Sequence, residues 1–184
     1  QATLEEAYLE RALALTNKTI AAFFDPEEGG FYVYGTDGEQ LPLRPKEAYD
    51  GAIPSGNAVM TMNLVYLSLL SFYEFDAVLE QQLRFMDREA ADYPAGHTFY
   101  LLAALQRAFP GQKITAVLQS ASERENVKQK LLGQGFVRIL EAATDAYPLK
   151  DGKTTYYLCQ GQTCQPPSNE LPQMYGTGGL ASWN

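Results

Sequence analysis

The segment Arg44–Phe72, RPKEAYDGAIPSGNAVMTMNLVYLSLLSF, joins a polar loop to a strongly apolar helix. Its first part, Arg44 to Asn57, carries charged, hydroxyl and amide side chains between two prolines and two glycines, a composition typical of a shaped loop. From Ala58 to Phe72, apolar residues occupy every side of a helical projection, which predicts a helix surrounded by other elements. Either Ser55 or Asn57 can cap its first turn. The segment therefore predicts a polar loop that ends at the N-terminus of a buried helix.

This polar loop has two interpretations. A helix N-terminus presents unpaired N–H groups and a partial positive charge, so the loop is suited to a polyhydroxylated or anionic ligand. The alternative is a well-capped connector that binds nothing, which is the more common fate of such a loop. The loop residues alone favour the connector.

Three further helices are predicted around the central one. Apolar residues at three- and four-residue spacing predict helices over Leu4–Phe24, Asp76–Tyr93 and His97–Phe109. The apolar side chains assigned to the interior of the last helix are Phe99, Leu101, Leu102, Ala104, Leu105 and Ala108. Between the first helix and the loop, the alternating run Phe31–Tyr34 lies between glycines and predicts a short strand or hairpin. Four successive helices indicate stacked antiparallel helical hairpins.

After Gly111 the pattern changes to a small α/β lobe. Short β-branched and apolar runs at Lys113–Gln119 and Phe136–Ala142 flank a helical segment, Ser122–Gly133. This order predicts a parallel βαβ unit with a right-handed crossover, and Thr154–Gln160 is predicted to extend its sheet. The first turn lacks a phosphate-binding glycine pattern, which argues against a nucleotide site.

The predicted fold class is mainly α with a small α/β lobe that contains a short, mostly parallel sheet. The predicted domains are 1–110 for the helical part, with the hairpin and polar loop at 25–57, then 111–165 for the lobe and 166–184 for an irregular tail. At 184 residues the chain is long enough for one substantial core, or for one core plus a small appended lobe.

Composition excludes several classes of partner. The chain has 14 basic and 22 acidic residues, a net charge of −8, and no basic cluster. Nucleic acids and anionic membranes need a positive surface, so neither is a predicted partner. No long uncharged apolar run and no signal peptide is present, which predicts a cytoplasmic protein. The chain begins in a helical pattern without an initiator Met, which predicts a segment of a longer protein.

Few residues suggest metal or redox chemistry. Cys159 and Cys164 are separated by four residues, which fits neither a redox CxxC motif nor a zinc knuckle. A hairpin disulfide is geometrically feasible, but two free buried thiols are favoured. His97 is the single histidine, and a capping or surface role is favoured over that of a general base. The sequence therefore predicts no metal and no cofactor.

Three motifs resemble one protein family. They are DPEEGGFY at 25–32, LPLRPKEAYDGAIPSGNAV at 41–59 and YYLCQGQTCQPP at 156–167. In this order they are similar to the C-terminal region of the spermatogenesis-associated, thioredoxin-like proteins. Full-length members of that family join a thioredoxin-like domain to a helical toroid similar to N-acylglucosamine 2-epimerase and six-hairpin glycosidases. The resemblance implies that residues 1–110 belong to an (α/α) toroid, while the final YGTGGLASWN matches no motif.

The resemblance also implies a site and partners. A toroid implies a carbohydrate or other small-molecule cleft along the polar loop, in which Asp50 and Glu47 are the candidate catalytic acid and base. The predicted ligand-binding residues are Arg44, Lys46, Ser55, Asn57, Tyr32 and Tyr49. The first hypothesis is thus an epimerase-like or glycosidase-like carbohydrate-active domain. The alternative is a non-catalytic scaffold that docks the thioredoxin-like domain of the same full-length chain, and a third is a purely structural loop. Uncovered apolar faces also predict self-association.

These hypotheses predict different geometries. A catalytic cleft needs carboxylates that face each other across a pocket, with at least one shifted pKa. A docking scaffold needs an exposed apolar patch with no converging acids. In a structural loop, the polar side chains pair with each other and with backbone amides. The prediction that the loop binds a sugar is to be abandoned if Asp50 and Asn57 are both fully used in internal hydrogen bonds.

Overall fold

The computed structural model describes residues 2–38, 43–70, 74–161 and 163–173. These residues form five α-helices, α1 Glu6–Phe23, α2 Gly56–Leu70, α3 Asp76–Ala90, α4 Thr98–Ala108 and α5 Arg124–Leu131. They also form four strands, β1 Gln112–Val117, β2 Phe136–Leu140, β3 Thr155–Gln160 and β4 Thr163–Cys164. Two compact units result, which we call the helical unit, Tyr8–Ala108, and the sheet unit, residues 2–7 with the described residues from Phe109 onward. The predicted domain boundaries at 110 and 165 stay predictions.

Helix α2 is the centre of the helical unit. It packs against both α3 and α4, and most of its residues are buried. Leu64, Val65 and Leu67 share a core cluster with Phe31 and the α3 residue Leu79. The apolar residues on all sides of α2 thus allow it to lie between two neighbours, which confirms the prediction of a buried helix.

The sheet has the order β2-β1-β3-β4. Strands β1 and β2 are parallel and flank α5, which confirms the predicted parallel pair. The prediction of a mostly parallel sheet is wrong, because β3 pairs with β1 antiparallel and β4 pairs with β3 antiparallel. A parallel return usually needs a crossover helix, and the residues between β2 and β3 form none.

The two faces of the sheet differ in composition. One face packs its apolar residues against Val127 and Leu131 of α5. Because side chains alternate along a strand, the other face carries Lys113 and Thr115 of β1, Arg138 of β2 and Cys159 of β3. The second face is therefore the more polar of the two, although it also carries Val117, Phe136 and Tyr157.

The prediction of an (α/α) toroid is wrong. A toroid repeats helical hairpins around a ring, whereas the described chain places α3 and α4 on a single central helix and then forms a four-stranded mixed sheet. The arrangement is α/β. The sequence patterns of individual helices were sufficient to locate them, but helical periodicity does not encode how many further helices follow or how they close.

The run Phe31–Tyr34, predicted as a short strand or hairpin, forms no regular strand in the described residues, and Phe31 makes an isolated antiparallel bridge with Phe24 across the preceding turn. Two adjacent glycines, Gly29 and Gly30, take φ angles of 74° and 82° and turn the chain sharply. A Cβ atom on Gly29 would lie 2.5 Å from the carbonyl oxygen of Gln81 on α3, so the turn packs closely on that helix.

Helix ends differ modestly from the predicted ones. Helix α3 ends at Ala90 rather than Tyr93, because Pro94–Gly96 forms a separate 3₁₀ turn. The predicted end of α2 at Phe72 and the motif-free end of the chain, 175–184, lie outside the described residues. Across the described chain, no helix combines the length and apolar character that a membrane span requires.

Candidate functional site

Lys46 lies at the centre of a buried cluster at the start of the polar loop. Its Nζ atom is 2.7 Å from Oδ2 of Asp25 and donates a hydrogen bond of 2.6 Å to the carbonyl oxygen of Gly29. The ammonium group also lies 4.8 Å from the ring centre of Tyr32 and 5.1 Å from that of Phe85. The predicted ligand-binding lysine is therefore held by the chain itself.

Asp25 is the acidic member of this cluster. Its Oδ1 atom accepts hydrogen bonds from the amides of Glu27, at 2.9 Å, and Glu28, at 3.2 Å, while Oδ2 accepts one from the Tyr32 hydroxyl at 2.6 Å. Burial acts to raise the pKa of Asp25, but the hydrogen bonds from Lys46, Tyr32 and the two amides outweigh it and hold that pKa well below its usual range. Asp25 is thus ionised at neutral pH, and its carboxylate holds Lys46, Tyr32 and the turn at Glu27 and Glu28 together.

Arg44 covers the ring of Tyr32. Its Cζ atom lies 4.0 Å from the ring centre, and Nη2 donates a 2.9 Å hydrogen bond to the carbonyl oxygen of Tyr34. The stacking surface predicted for a sugar at Tyr32 is therefore engaged by two cations of the same loop.

Asn57 is the buried link between the loop and the turn at Phe31. Its Oδ1 atom accepts from the Phe31 amide at 2.7 Å, and its Nδ2 atom donates to the carbonyl oxygens of Phe31 and Glu47, each at 2.9 Å. Gln82 of α3 donates to the same Oδ1 atom at 3.2 Å and to Thr61 at 3.1 Å. With only 2% of Asn57 exposed, its amide is fully used inside the protein.

Ser55 provides the helix cap. Its hydroxyl oxygen accepts a hydrogen bond from the Ala58 amide at 3.1 Å and donates one to the carbonyl oxygen of Ala48 at 2.9 Å. Of the two caps that the sequence allowed for α2, Ser55 is the one that the structure contains.

Asp50 caps helix α4 rather than facing a ligand. Its Oδ1 atom accepts from the Ser55 amide at 2.8 Å, and its Oδ2 atom accepts from the amides of Phe99, at 2.8 Å, and Tyr100, at 3.3 Å, in the first turn of α4. Asp50 and Asn57 are both used internally, so the prediction that this loop binds a sugar is abandoned. Glu47 is exposed, and its carboxylate makes no hydrogen bond or ion pair with the described residues. The acid and base roles of Glu47 and Asp50 stay predictions.

Tyr49 of the loop and Tyr93, which follows α3, form an exposed aromatic pair. Tyr49 and Tyr93 are both more than half exposed, and their rings are nearly parallel with centres 6.4 Å apart. His97 is buried beside them, edge-on to Tyr49, and its Nδ1 atom lies 3.0 Å from the carbonyl oxygen of Tyr93. A Cβ atom on Gly96 would lie 2.6 Å from both tyrosine rings, so a larger residue at this position would displace the rings.

Helix α4 also exposes an apolar face. Leu101, Leu102 and Leu105 are 41%, 40% and 47% exposed, and their helical spacing places them on one side. The prediction that these leucines are buried is wrong, since α4 buries Tyr100, Ala103 and Gln106 instead. We call Leu101, Leu102 and Leu105 the α4 face. Apolar periodicity located the helix, but it could not decide which of two apolar sides packs inward.

In the sheet unit, Cys159 and Cys164 form a disulfide, so the prediction of free thiols is wrong. The two residues lie directly opposite each other in the antiparallel β3–β4 pair. The four-residue separation suits this short hairpin, and the compartment argument for free thiols does not outweigh that proximity. Among the described residues, no group of three or more histidine, cysteine or acidic side chains could hold a metal ion.

The fold and the site define a helical unit whose polar residues are used internally, joined in sequence to a small mixed sheet. Over 68 residues the chain is 41% identical to spermatogenesis-associated protein 20 of mouse and, equally, of human. The match covers 36% of this chain and 9% of the length of each relative. It supports the family resemblance carried by the three motifs. No family model and no solved structure matches the chain.

Proposed function

We propose that the helical unit is a non-catalytic docking module that binds an apolar surface of a thioredoxin-like domain in the same full-length protein. The α4 face is the observation that carries this function. Three leucines, each at least 40% exposed, lie on one side of a helix whose opposite side is fully packed. A contiguous exposed apolar patch marks an interaction surface more often than a catalytic one.

The rim of the α4 face fits a protein interface. Arg107 of α4 donates a 3.0 Å hydrogen bond to Glu80 of α3, and both groups are partly exposed. Thr98 adds a hydroxyl at the start of the helix. An apolar centre with a polar, paired rim is the usual anatomy of a docking surface.

The carboxylates favour docking over catalysis. Asp25 is paired with Lys46, and Asp50 caps α4. Glu47 has no acidic partner with which it forms a described contact. Acid–base chemistry of the glycosidase type needs two carboxyl groups that act on one bond from opposite sides. The thioredoxin-like partner comes from the family resemblance, and the chain itself supplies the surface.

Titration calorimetry with the separately purified thioredoxin-like domain of the parent protein tests the proposal. Leu102→Glu with Leu105→Glu places two charges in the α4 face and should weaken binding at least tenfold. Leu15→Glu, at an exposed leucine of α1, is the matched control and should bind as the unaltered chain does. Failure of the unaltered, folded chain to bind, or equal binding by the double variant, would refute the proposed docking function.

A small-molecule site is a second candidate, favoured by the Tyr49–Tyr93 pair alone. Two exposed, nearly parallel rings beside a buried histidine suit a planar ligand that stacks on an outer ring face. A thermal-shift screen with Tyr49→Ala, and Tyr34→Ala as the matched exposed control, tests it. A ligand that stabilises both variants equally binds elsewhere.

A further inference from the structure

We propose that the Cys159–Cys164 disulfide is a thiol–disulfide exchange site that accepts electrons from an external dithiol through Cys164. The two sulfur atoms differ in access. Cys159 is 4% exposed at the penultimate position of β3, whereas Cys164 is exposed on the two-residue strand β4. An attacking thiolate must reach the sulfur along the disulfide axis, so attack is directed to Cys164.

Lys113 is the cross-strand neighbour of Cys159 in the antiparallel β1–β3 pair. The register of the sheet places Phe136, Lys113, Cys159 and Cys164 in one row across the four strands. Side chains directly opposite each other on an antiparallel pair point to the same face, with Cβ atoms about 4.5–5.5 Å apart. Lys113 and Cys159 are such a pair, and Lys113 is itself buried.

The position of Lys113 affects how well the Cys159 thiolate serves as the leaving group. A buried thiol without a cation nearby is a poor leaving group, because burial disfavours the thiolate. An ammonium group on the neighbouring strand stabilises the thiolate as it forms. Arg138 adds a second positive charge on the same face, partly balanced by Glu6 at 3.6 Å. Burial and the charge of Arg138 lower the pKa of Lys113, and a new anion on the same face favours the charged form of this lysine.

The exchange proceeds in two balanced steps. A thiolate of the external dithiol attacks Sγ of Cys164 and forms a mixed disulfide, while the Cys159–Cys164 bond breaks and its electron pair stays on Sγ of Cys159. The second thiolate of the dithiol then attacks the mixed disulfide and releases Cys164, which takes up a proton. The dithiol is oxidised to a disulfide, and the chain is reduced by two electrons.

Reduction by dithiothreitol under native conditions tests this assignment. Free thiols are counted by maleimide labelling and mass spectrometry, while circular dichroism follows the fold. We expect two labelled thiols in a chain that stays folded. Lys113→Met should slow reduction about tenfold, which at a Brønsted coefficient of about 0.5 corresponds to a rise of about two units in the pKa of the leaving thiol. Lys113→Arg should restore the rate to within about twofold.

Lys130→Met removes an exposed lysine from α5 and is the matched control, with no expected change in rate. Reduction that requires urea, or a Lys113→Met rate equal to that of the unaltered chain, would overturn the proposal. A second measurement does not depend on any variant. Brief exposure to glutathione, followed by acid quenching and peptide mapping, should place glutathione on Cys164, and its recovery on Cys159 would equally refute the assignment.

Discussion

The polar loop and the α4 face differ in which side chains they bury: the loop turns polar side chains inward, and the α4 face turns leucines outward. In the loop, Lys46, Asp50 and Asn57 point inward and bind other parts of the chain. On α4, Leu101 and Leu105 face outward. Polar residues of the loop therefore stabilise this unit from inside, whereas leucines of α4 are exposed on its surface. For this protein, a cluster of charges identifies a structural centre, whereas exposed apolar side chains identify the candidate for binding.

The hydrogen-bonding needs of the loop backbone explain why its polar side chains point inward. A loop without regular secondary structure must find partners for its buried N–H and C=O groups. Asn57 binds both backbone groups of Phe31, as a neighbouring strand would. Asp50 supplies the acceptor for two amides at the start of α4. Each polar side chain thereby replaces a missing backbone partner.

The largest loss of stability is expected for Asn57→Ala. This change leaves both backbone groups of Phe31, the carbonyl of Glu47 and one hydrogen bond of Gln82 without their partner. Buried groups that lose a hydrogen bond cost about 1–3 kcal/mol each and are not additive, so we expect a loss of about 4 kcal/mol. Urea unfolding at neutral pH measures it.

Asn63→Ala is the control for this change, because Asn63 is exposed on the same helix. It should alter the free energy of unfolding by less than about 0.5 kcal/mol. Similar losses for both asparagines would mean that the internal network contributes little beyond helix propensity.

Lys46→Met is expected to cost about 3 kcal/mol, because it leaves the Asp25 carboxylate buried without its ion-pair partner. The loss should depend on pH. The folded-state pKa of Asp25 lies below its unfolded value of about 3.9, so the pair stabilises fully above about pH 4 and loses its effect as the pH falls further.

Unfolding curves of the unaltered chain and Lys46→Met between pH 7 and pH 2.5 check this sign. The gap between the two free energies should be constant from pH 7 to about pH 5 and should narrow below about pH 4. Asp25→Asn removes the titrating group and should abolish the narrowing when it is combined with Lys46→Met. A gap that stays constant down to pH 2.5 would contradict the role assigned to Asp25.

Asp50→Ala should cost about 1–2 kcal/mol, as the loss of a helix cap does. Glu47→Ala changes a neighbouring carboxylate that makes no described contact and should stay within about 0.5 kcal/mol. Thermal unfolding of the two variants side by side separates the cap from the exposed acid. Equal losses of stability for the two variants would contradict the assignment of Asp50 as the cap of α4 and of Glu47 as an exposed acid without a structural role.

Local patterns predicted local structure well. The periodicity of α2, the cap at Ser55 and the parallel pair β1–β2 all follow from short-range physics. Contacts between residues far apart in the sequence could not be predicted from these local patterns. Asn57 meets Phe31 across 26 positions, and Asp50 meets Phe99 across 49. A polar residue that completes such a contact looks, in sequence, the same as one that waits for a ligand.

The smallest change in the free energy of unfolding is expected on the α4 face. It tests whether the exposed leucines of α4 lie outside the folded core. Leu102→Ser removes an exposed leucine and should change the free energy of unfolding by less than about 0.5 kcal/mol, because water already contacts much of its side chain. Ala103→Ser, one position further, introduces a hydroxyl into a fully buried site and should cost more. If urea unfolding instead shows a loss above about 1.5 kcal/mol for Leu102→Ser, the leucine is part of the folded core, and a docking surface at α4 loses its physical basis.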